Sequence, residues 1–187
     1  MLFNLISMEL MDVIKKRRSI RSFRPDGVDE KKIRALLECA NLAPSAGNLQ
    51  GYEIVVIKDT ETKLALAKAA LDQQFIAEAP VVFVFLANAK RSASKYGKRG
   101  DTLYSTQDAT IATAYVQLAC VDLGLGSCWV GAFNDHEVAK VVQAGIDYTP
   151  VSILPVGYPA EDPEPRPRRG VDSIAHYERV GNKKGMK

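Results

Sequence analysis

The stretch Ala79-Pro80-Val81-Val82-Phe83-Val84-Phe85-Leu86-Ala87 is the longest apolar run of the chain, and it decides the fold. Glu78 and Asn88 bound the run, and its nine residues include several β-branched and aromatic side chains. A bilayer-spanning helix needs about 20 apolar residues, whereas a strand buried on both faces needs about four to eight. The run therefore predicts a buried, central strand and not a membrane helix.

The residues before this strand predict another strand and two helices with N-terminal caps. Residues Tyr52 to Lys58 are rich in β-branched side chains and predict a strand, which we also expect to be central. Asp29 precedes apolar residues at helical spacing and is placed to cap a helix that Pro44 ends. Thr60 is placed to cap another helix, which runs to about Ala70.

The longest predicted helix runs from about Asp101 to Leu123. Small side chains recur along one of its faces, and such a face lets another helix approach closely. Four prolines after Tyr158 predict an extended tail that lies on the surface or on a partner subunit. The shorter predicted elements are a helix over Glu9 to Lys16, a strand around Cys128 to Val130, a helix capped by Asn134 or Asp135, and a strand from Val151 to Val156. Helices and strands thus alternate irregularly, without an internal repeat.

Length and composition fit a single domain comprising residues 1–187. The chain is 47% hydrophobic and has a net charge of +3. Its basic residues are spread over several short clusters, so a nucleic-acid partner is not expected. Residues 1–8 are interpreted as an N-terminal extension, with Met8 as an alternative start, and no membrane segment is predicted.

The three cysteines, Cys39, Cys120 and Cys128, are interpreted as core residues. They form no CxxC pair, and an odd number fits a reducing compartment better than a secreted disulfide scaffold. We therefore expect a cytoplasmic protein. The two histidines, His136 and His176, stand near no cysteine or carboxylate cluster at ligand spacing, so no intrinsic metal is expected.

Two clusters in the first third of the chain carry candidate chemistry. Arg17-Arg18-Ser19-Ile20-Arg21 sets three guanidinium groups and a hydroxyl within five residues. Arginine forks match phosphate oxygens in two-point hydrogen bonds, but cations also gather at helix C-termini, where the helix dipole favours them. The segment Ala43-Pro44-Ser45-Ala46-Gly47-Asn48-Leu49-Gln50 is either a place where backbone and amide donors converge on a ligand or an ordinary connecting loop.

Two further clusters lie towards the C-terminus. The segment Gly124 to Phe133 places the only tryptophan among glycines, which either let the backbone approach a flat ligand or mark strand bulges. The segment Pro155 to Pro159 ends a strand. Arg166-Pro167-Arg168-Arg169 follows it, and these arginines either bind an anion or only increase solubility.

Taken in this order, the clusters resemble the nitroreductase-like FMN oxidoreductases. The motifs are an Arg-Arg-Ser-Ile-Arg start, an Ala-Pro-Ser-x-x-Asn-x-Gln loop, an Ala-Pro-led central strand, a Gly-Leu-Gly-x-x-Trp turn and a Pro-Val-Gly-Tyr-Pro strand end. Each motif is weak, but their order is specific, and the match runs from about Glu9 to Glu178. The resemblance implies an α+β fold with a central, mostly antiparallel sheet flanked by helices. It also implies a homodimer formed through long helices, with two FMN molecules in the interface.

The resemblance further implies roles for single residues. The phosphate, the ribityl chain and the pyrimidine edge are assigned to Arg17, Arg18, Ser19 and Arg21, with Arg166 and Arg168 closing on the phosphate. The residues assigned to the partner's flavin are Pro44, Ser45, Ala46 and Asn48. Gln74 is assigned to the pyrimidine, and Trp129, Val130 and Gly131 to the ring, with the Gly131 amide near N5. Because FMN carries the redox chemistry, no protein acid, base or nucleophile is required.

The implied activity is a ping-pong reaction in which NADH or NADPH reduces bound FMN and a small-molecule acceptor then takes its place. Two alternatives stay open, namely a specialised relative that dehalogenates, dehydrogenates or fragments flavin, and a non-catalytic flavin-binding module. Longer relatives carry an acidic residue where Gly131 stands and a helical lid after the second strand.

Here only the segment Asn88 to Arg99 fills the interval of the lid, and we interpret it as a loop. Its cations are Lys90, Arg91, Lys95, Lys98 and Arg99. These five side chains either edge the flavin cleft and attract anionic groups or remain solvated.

Overall fold

A central antiparallel sheet organises the chain, as the sequence predicts. The computed structural model describes residues 8–183, so the predicted extension, residues 1–8, lies outside the described residues except for Met8. The strands are β1 (Tyr52–Ile57), β2 (Val81–Asn88), β3 (Gly126–Ser127) and β4 (Tyr148–Gly157). The helices are α1 (Leu10–Lys16), α2 (Glu30–Asn41), α3 (Thr60–Ala69), α4 (Phe75–Glu78), α5 (Ala89–Arg99), α6 (Ser105–Asp122), α7 (Asp135–Val141) and α8 (Val171–Ile174).

Strand β2 lies in the middle of the sheet. The strand order is β1-β2-β4-β3, and each neighbouring pair is antiparallel. Every residue of β2 is buried, which confirms the prediction from the apolar run. The prediction that β1 is also central is wrong, because within residues 8–183 it pairs with β2 alone and forms an edge. Its β-branched residues are mostly half-buried, and such residues favour edge strands as well as central ones.

Helices cover both faces of the sheet. Side chains alternate along β2 between the two faces. Phe83 and Phe85 pack in a core with α2 and α6, whereas Val82 and Val84 pack on the opposite face with α3, α4 and α7. The apolar surface of the sheet is therefore covered by the chain itself, and the candidate binding residues lie on loops and at strand ends.

Four described helices begin with a side-chain cap, and three of these caps bear on the sequence predictions. Asp29 caps α2 by accepting a backbone N–H at 2.6 Å, as predicted. Asn134 caps α7 by accepting a backbone N–H at 3.0 Å, which decides between the two predicted caps. The prediction that Thr60 caps α3 is wrong, because the carboxylate of the preceding Asp59 accepts the N–H at 2.8 Å.

Helix α6 carries the predicted stripe of small residues. The helix was predicted to start at about Asp101, but residues Gly100–Tyr104 form a π-helical segment and α6 itself begins at Ser105. Ala109 and Ala112 on the stripe are fully buried in the core that contains α2 and β2. The helix that approaches the stripe closely is thus α2 of the same chain, and the stripe itself is not available to a partner subunit.

Three segments differ from the sequence predictions or refine them. Residues Ala89–Arg99 form helix α5 and not a loop; the sequence hides this helix because Ser92 is its only buried residue. The short strand predicted over Cys128 to Val130 is displaced to β3, and Val130 forms a single bridge with Ile153. Between Tyr158 and Gly170 the tail forms no helix or strand apart from a bridge at Pro159, and its extended course stays a prediction. None of the helices described in residues 8–183 is long and apolar enough to span a membrane.

Candidate functional site

The Arg17–Arg21 segment lies against strand β3. The Ile20 N–H donates to the carbonyl oxygen of Ser127 at 3.0 Å, and Ser19 forms a parallel bridge with the same residue. A Cβ atom on Gly126 would lie 2.7 Å from Ile20 Cγ1, so only glycine permits this close approach. The Arg17–Arg21 cluster and the Gly124–Phe133 cluster therefore meet in one protomer.

Arg168, in the C-terminal tail, lies within electrostatic range of Arg17. Burial lowers the pKa of the Arg17 guanidinium, and the positive charges of Arg168 and then Arg18 lower it further. In the part of the chain that the structure describes, no carboxylate lies within 4.0 Å of the side chains of Arg17, Arg18, Arg21, Arg166 or Arg168. Arg166 is exposed and makes no hydrogen bond with another candidate residue.

An unbalanced group of cations of this kind fits a phosphate. The guanidinium groups of Arg17 and Arg168 repel each other, and a doubly charged anion between them would remove that repulsion. The chemistry of these side chains therefore agrees with the FMN phosphate that the resemblance implies.

Glu161 fixes the arginine segment to the start of the tail, and the sequence prediction missed it. Its carboxylate accepts the backbone N–H groups of Arg21 and, at 3.0 Å, of Ser22. Backbone hydrogen bonds join the same stretches, because the Ala160 N–H donates to the Ser22 carbonyl oxygen at 2.9 Å. The only sequence signal was an acidic residue shortly before the cationic tail.

The Gln74 region adjoins the arginine segment. The guanidinium carbon of Arg21 lies 5.9 Å from the centroid of the Phe75 ring. The Gln73 side-chain amide donates to the carbonyl oxygen of Ala132 at 3.0 Å. Gln74 itself is exposed. The structure therefore brings the Gln74 region between the first cluster and the residues that follow Gly131.

In the Trp129–Gly131 segment, Val130 pairs with strand β4 and Gly131 is exposed. Both backbone polar groups of Val130 bond to Ile153, with N···O distances of 2.9 and 3.0 Å, so Val130 has no free backbone donor for a ligand. Gly131 is exposed, and its missing Cβ would lie 3.4 Å from the indole nitrogen of Trp129. Val130 is thereby excluded, whereas the backbone amide of the exposed Gly131 makes no hydrogen bond within residues 8–183 and can face a bound ring.

Asp108 holds the loop of the second cluster, and it is the second residue that the sequence prediction missed. Its carboxylate is only 2% exposed and accepts the N–H groups of Ala46, at 2.8 Å, and Gly51, at 3.2 Å. Inside the loop, the Ser45 hydroxyl accepts the Gln50 N–H at 2.9 Å. The sequence signal that could have identified Asp108 is its place on the buried stripe of α6, because a buried acidic residue rarely lacks hydrogen-bond partners.

The Pro44–Asn48 loop does not join the arginine cluster in one protomer. The hydrogen bonds and ring contacts of residues 8–183 connect this loop to α5 and α6 but not to the Arg17–Arg21 segment. Residues 44–46 line an open groove of about 460 Å³ together with Tyr104 and four residues of α6, namely Gln107, Asp108, Thr110 and Ile111. The three other clusters thus meet, whereas this loop faces a separate groove.

The thiols are buried to different degrees. Cys120 and Cys128 are core residues, as predicted, but Cys39 is only half-buried. Burial raises the pKa of the Cys120 thiol to about 12, and it also raises the pKa of the Cys128 thiol, against the opposing effects of Arg21 and Ser19. No group of three or more His, Cys, Asp or Glu side chains in residues 8–183 could hold a metal ion.

We expect iodoacetamide at pH 8 to modify Cys39 first and to leave Cys120 unmodified in the folded protein. With a pKa of about 12, only about one Cys120 thiol in ten thousand is deprotonated at that pH, and the thiolate is the nucleophile. Mass spectrometry of the digested protein measures this order. Rapid modification of Cys120 without unfolding would contradict the described burial.

The family model described as the nitroreductase family matches residues 14–78 and 67–158 of this chain. The chain belongs to the nitroreductase family. A Thermus thermophilus protein named NADH dehydrogenase is 32% identical over 186 residues, which cover 85% of this chain and 91% of that protein. A Bacillus subtilis protein named FMN reductase (NADPH) is 27% identical over 179 residues, which cover 89% of this chain and 72% of that protein.

Solved structures of the family share the fold. Nitroreductase A from Vibrio parahaemolyticus superposes with a TM-score of 0.86 at 25% identity, covering 94% of this chain and 78% of that one. A nitroreductase family protein from Clostridium novyi superposes with a TM-score of 0.75 at 26% identity, covering 94% and 96%. The family and the α+β fold predicted from the five motifs are therefore confirmed.

Proposed function

We propose that this nitroreductase-family protein is an FMN-dependent oxidoreductase that uses NADH or NADPH to reduce a small-molecule acceptor. The names of its relatives, which include an NADH dehydrogenase and an FMN reductase, support an oxidoreductase that uses a reduced nicotinamide and FMN. The observation that carries the proposal is the electrostatic proximity of Arg17 to Arg18 and Arg168, with no carboxylate within 4.0 Å of these side chains in residues 8–183. These residues come from opposite ends of one domain.

The arginines bind and orient the cofactor in this proposal. Arg17, Arg18 and Arg168 hold the FMN phosphate, and Ser19 holds the ribityl chain. Arg21 and Gln74 face the pyrimidine edge, where donors stabilise negative charge on the reduced ring. The Gly131 amide faces N5. Bound FMN supplies the hydride chemistry, so the scarcity of histidine in the chain is not an obstacle.

The donor and the acceptor use the same face of the ring in turn. A reduced nicotinamide would transfer a hydride to bound FMN, and the oxidised nicotinamide would leave before the acceptor binds, which is a ping-pong mechanism. Steady-state rates measured at several concentrations of NADH and a quinone then give parallel double-reciprocal lines. Intersecting lines would contradict the alternating use of one face. The free thiols agree with work in a reducing compartment, the cytoplasm.

We expect a homodimer whose two flavin sites are shared between subunits. The Pro44–Asn48 loop is anchored away from the arginines of its own protomer, and so it is free to meet the partner's flavin. Apolar side chains available for an interface include Leu10 and Met11 on α1 and Val171 and Ile174 on α8, all more than half exposed. With the tail on the partner, an obligate interface of about 2,000 Å² or more is expected.

Light scattering after size exclusion measures this prediction directly. The expected result is a dimer that retains one FMN per protomer. A monomer that binds FMN tightly would contradict the shared site.

A further inference from the structure

Helix α5 covers the Pro44–Asn48 loop with cationic and aromatic side chains. A Cβ atom on Gly47 would lie 2.8 Å from Lys95 Nζ and would clash with the Tyr96 hydroxyl, so both side chains lie directly on this glycine. One turn earlier, the Arg91 Nε–H donates to the Leu49 carbonyl oxygen at 2.5 Å. The helix and the loop therefore form one surface.

Two tyrosines and two cations form a continuous cluster on this surface. The rings of Tyr96 and Tyr104 meet edge to face, with centroids 5.1 Å apart. Lys95 Nζ lies 5.5 Å from the centroid of the Tyr96 ring, and the guanidinium carbon of Arg99 lies 5.2 Å from that of Tyr104. The Arg99 Nε–H also donates to the Tyr104 hydroxyl at 2.9 Å, which fixes this guanidinium in place. We call Lys95, Tyr96, Arg99 and Tyr104 the tyrosine–cation cluster.

The positive charge of the cluster is not neutralised within the described chain. Neither Lys95 nor Arg99 has a carboxylate within 4.0 Å in residues 8–183, whereas Lys90 on the same helix lies 3.9 Å from Asp147. Both side chains are exposed, and each lies beside a tyrosine ring. An anionic group would therefore find a partly ordered cationic site here.

The cluster borders the groove of the Pro44–Asn48 loop. Tyr104 lines the groove together with residues 44–46, and Tyr96 covers Gly47 of the same loop. A flat organic molecule in the groove can pack on the tyrosines while an anionic substituent reaches the two cations. The same surface thus offers contacts for both parts of a reactant.

We propose that Lys95 and Arg99 bind an anionic group, a phosphate or a sulfonate or carboxylate, on the reactants of this enzyme. This inference rests on the proposed function, because it places the cluster at the rim of the partner's flavin site. The anionic group comes either from the 2′-phosphate of NADPH or from an acidic acceptor. Both sources require the same two cations, and neither requires the FMN-binding arginines.

The first experiment measures binding without turnover. The FMN-loaded dimer is titrated with NADP⁺ and with NAD⁺ by calorimetry at low and high salt, as wild type and as Lys95→Gln/Arg99→Gln. The control, Lys68→Gln/Lys98→Gln, removes the same charge from exposed lysines that have no role in the cluster. If the phosphate is the anion, the cluster variant weakens NADP⁺ about tenfold and NAD⁺ less than about twofold, and salt removes the difference. The control variant behaves as wild type.

The second experiment identifies an acidic acceptor. Reduced dimers are mixed in a stopped-flow instrument with 1,2-naphthoquinone or with its 4-sulfonate. A loss of about tenfold for the sulfonate alone, in the cluster variant alone, assigns the anion to the acceptor. If the cluster variant loses both NADP⁺ affinity and rate with the sulfonate, the same two cations bind the 2′-phosphate and the anionic group of the acceptor. Equal behaviour of the cluster variant and the control with every anion overturns the inference.

Failure of the proposed function gives a different result. In that case the wild type itself neither retains FMN nor accepts electrons from NADH, which lacks the 2′-phosphate. The inference falls alone when wild type and cluster variant both retain FMN and react with NADH, yet show the same binding of NADP⁺ and the same rates with the sulfonate.

Discussion

Arg17→Ala and Arg168→Ala are each expected to weaken FMN binding tenfold to a hundredfold while the apoprotein stays folded. Each change removes charge-assisted phosphate contacts, worth about 1.5 to 3 kcal/mol, and neither removes a fully buried side chain. The repulsion between the two guanidinium groups in the apoprotein disappears as well. The apo variants should therefore be no less stable than wild-type apoprotein.

Riboflavin separates the phosphate contacts from the rest of the site. It lacks the phosphate, so it should bind wild type much more weakly than FMN and respond little to either change. Fluorescence titration of the apoprotein with both flavins measures the two affinities. Arg34→Ala, which removes an exposed arginine paired with Glu38 on α2, is the matched control. Equal losses for FMN and riboflavin would refute the phosphate assignment.

Asp108→Asn is expected to lower the free energy of unfolding by about 2 to 4 kcal/mol and to weaken FMN binding in the surviving dimers. The carboxylate is the acceptor for two backbone N–H groups, of Ala46 and Gly51, in a buried position. An asparagine presents one oxygen and one NH₂ group, so one of the two donors would face another donor. Loss of a buried charged acceptor has a cost of this size.

Asp108 should determine the position of the Pro44–Asn48 loop as well as the free energy of unfolding. Urea denaturation of the apoprotein measures the first effect, and FMN and riboflavin titrations measure the second. Both flavins should be affected alike, because the loop is assigned to the ring and not to the phosphate. Asp101→Asn, at an exposed site just before α6, is the matched control. A change of less than about 0.5 kcal/mol with unaltered flavin binding would show that the loop is positioned by other contacts.

The sheet and the family could be predicted from the sequence because their signals are local. A continuous apolar run specifies a buried strand wherever it lies. The Arg17–Arg21, Gly124–Phe133 and Pro155–Pro159 motifs meet at one sheet end, through residues such as Ile20 that pack on Gly126. Their order in the chain was enough to indicate that they converge.

The missed features depend on contacts between distant residues. Asp108 and the loop residue Ala46 are 62 positions apart, and Glu161 and Arg21 are 140 apart. No periodicity reports such pairings. Helix α5 was missed because its face towards the protein is polar, and its contacts with the loop are made by Arg91, Lys95 and Tyr96. The edge position of β1 also follows from strand order, which composition does not determine.

Anaerobic titration of the FMN-loaded protein with NADH and with NADPH shows whether the bound flavin accepts electrons from a reduced nicotinamide. The visible flavin absorption reports the oxidation state of the cofactor that the arginines are proposed to hold. We expect complete bleaching by about one molecule of reduced nicotinamide per FMN, and recovery of the absorption when a quinone is added. Tightly bound FMN that neither nicotinamide bleaches would contradict it and would identify a flavin-binding module without turnover.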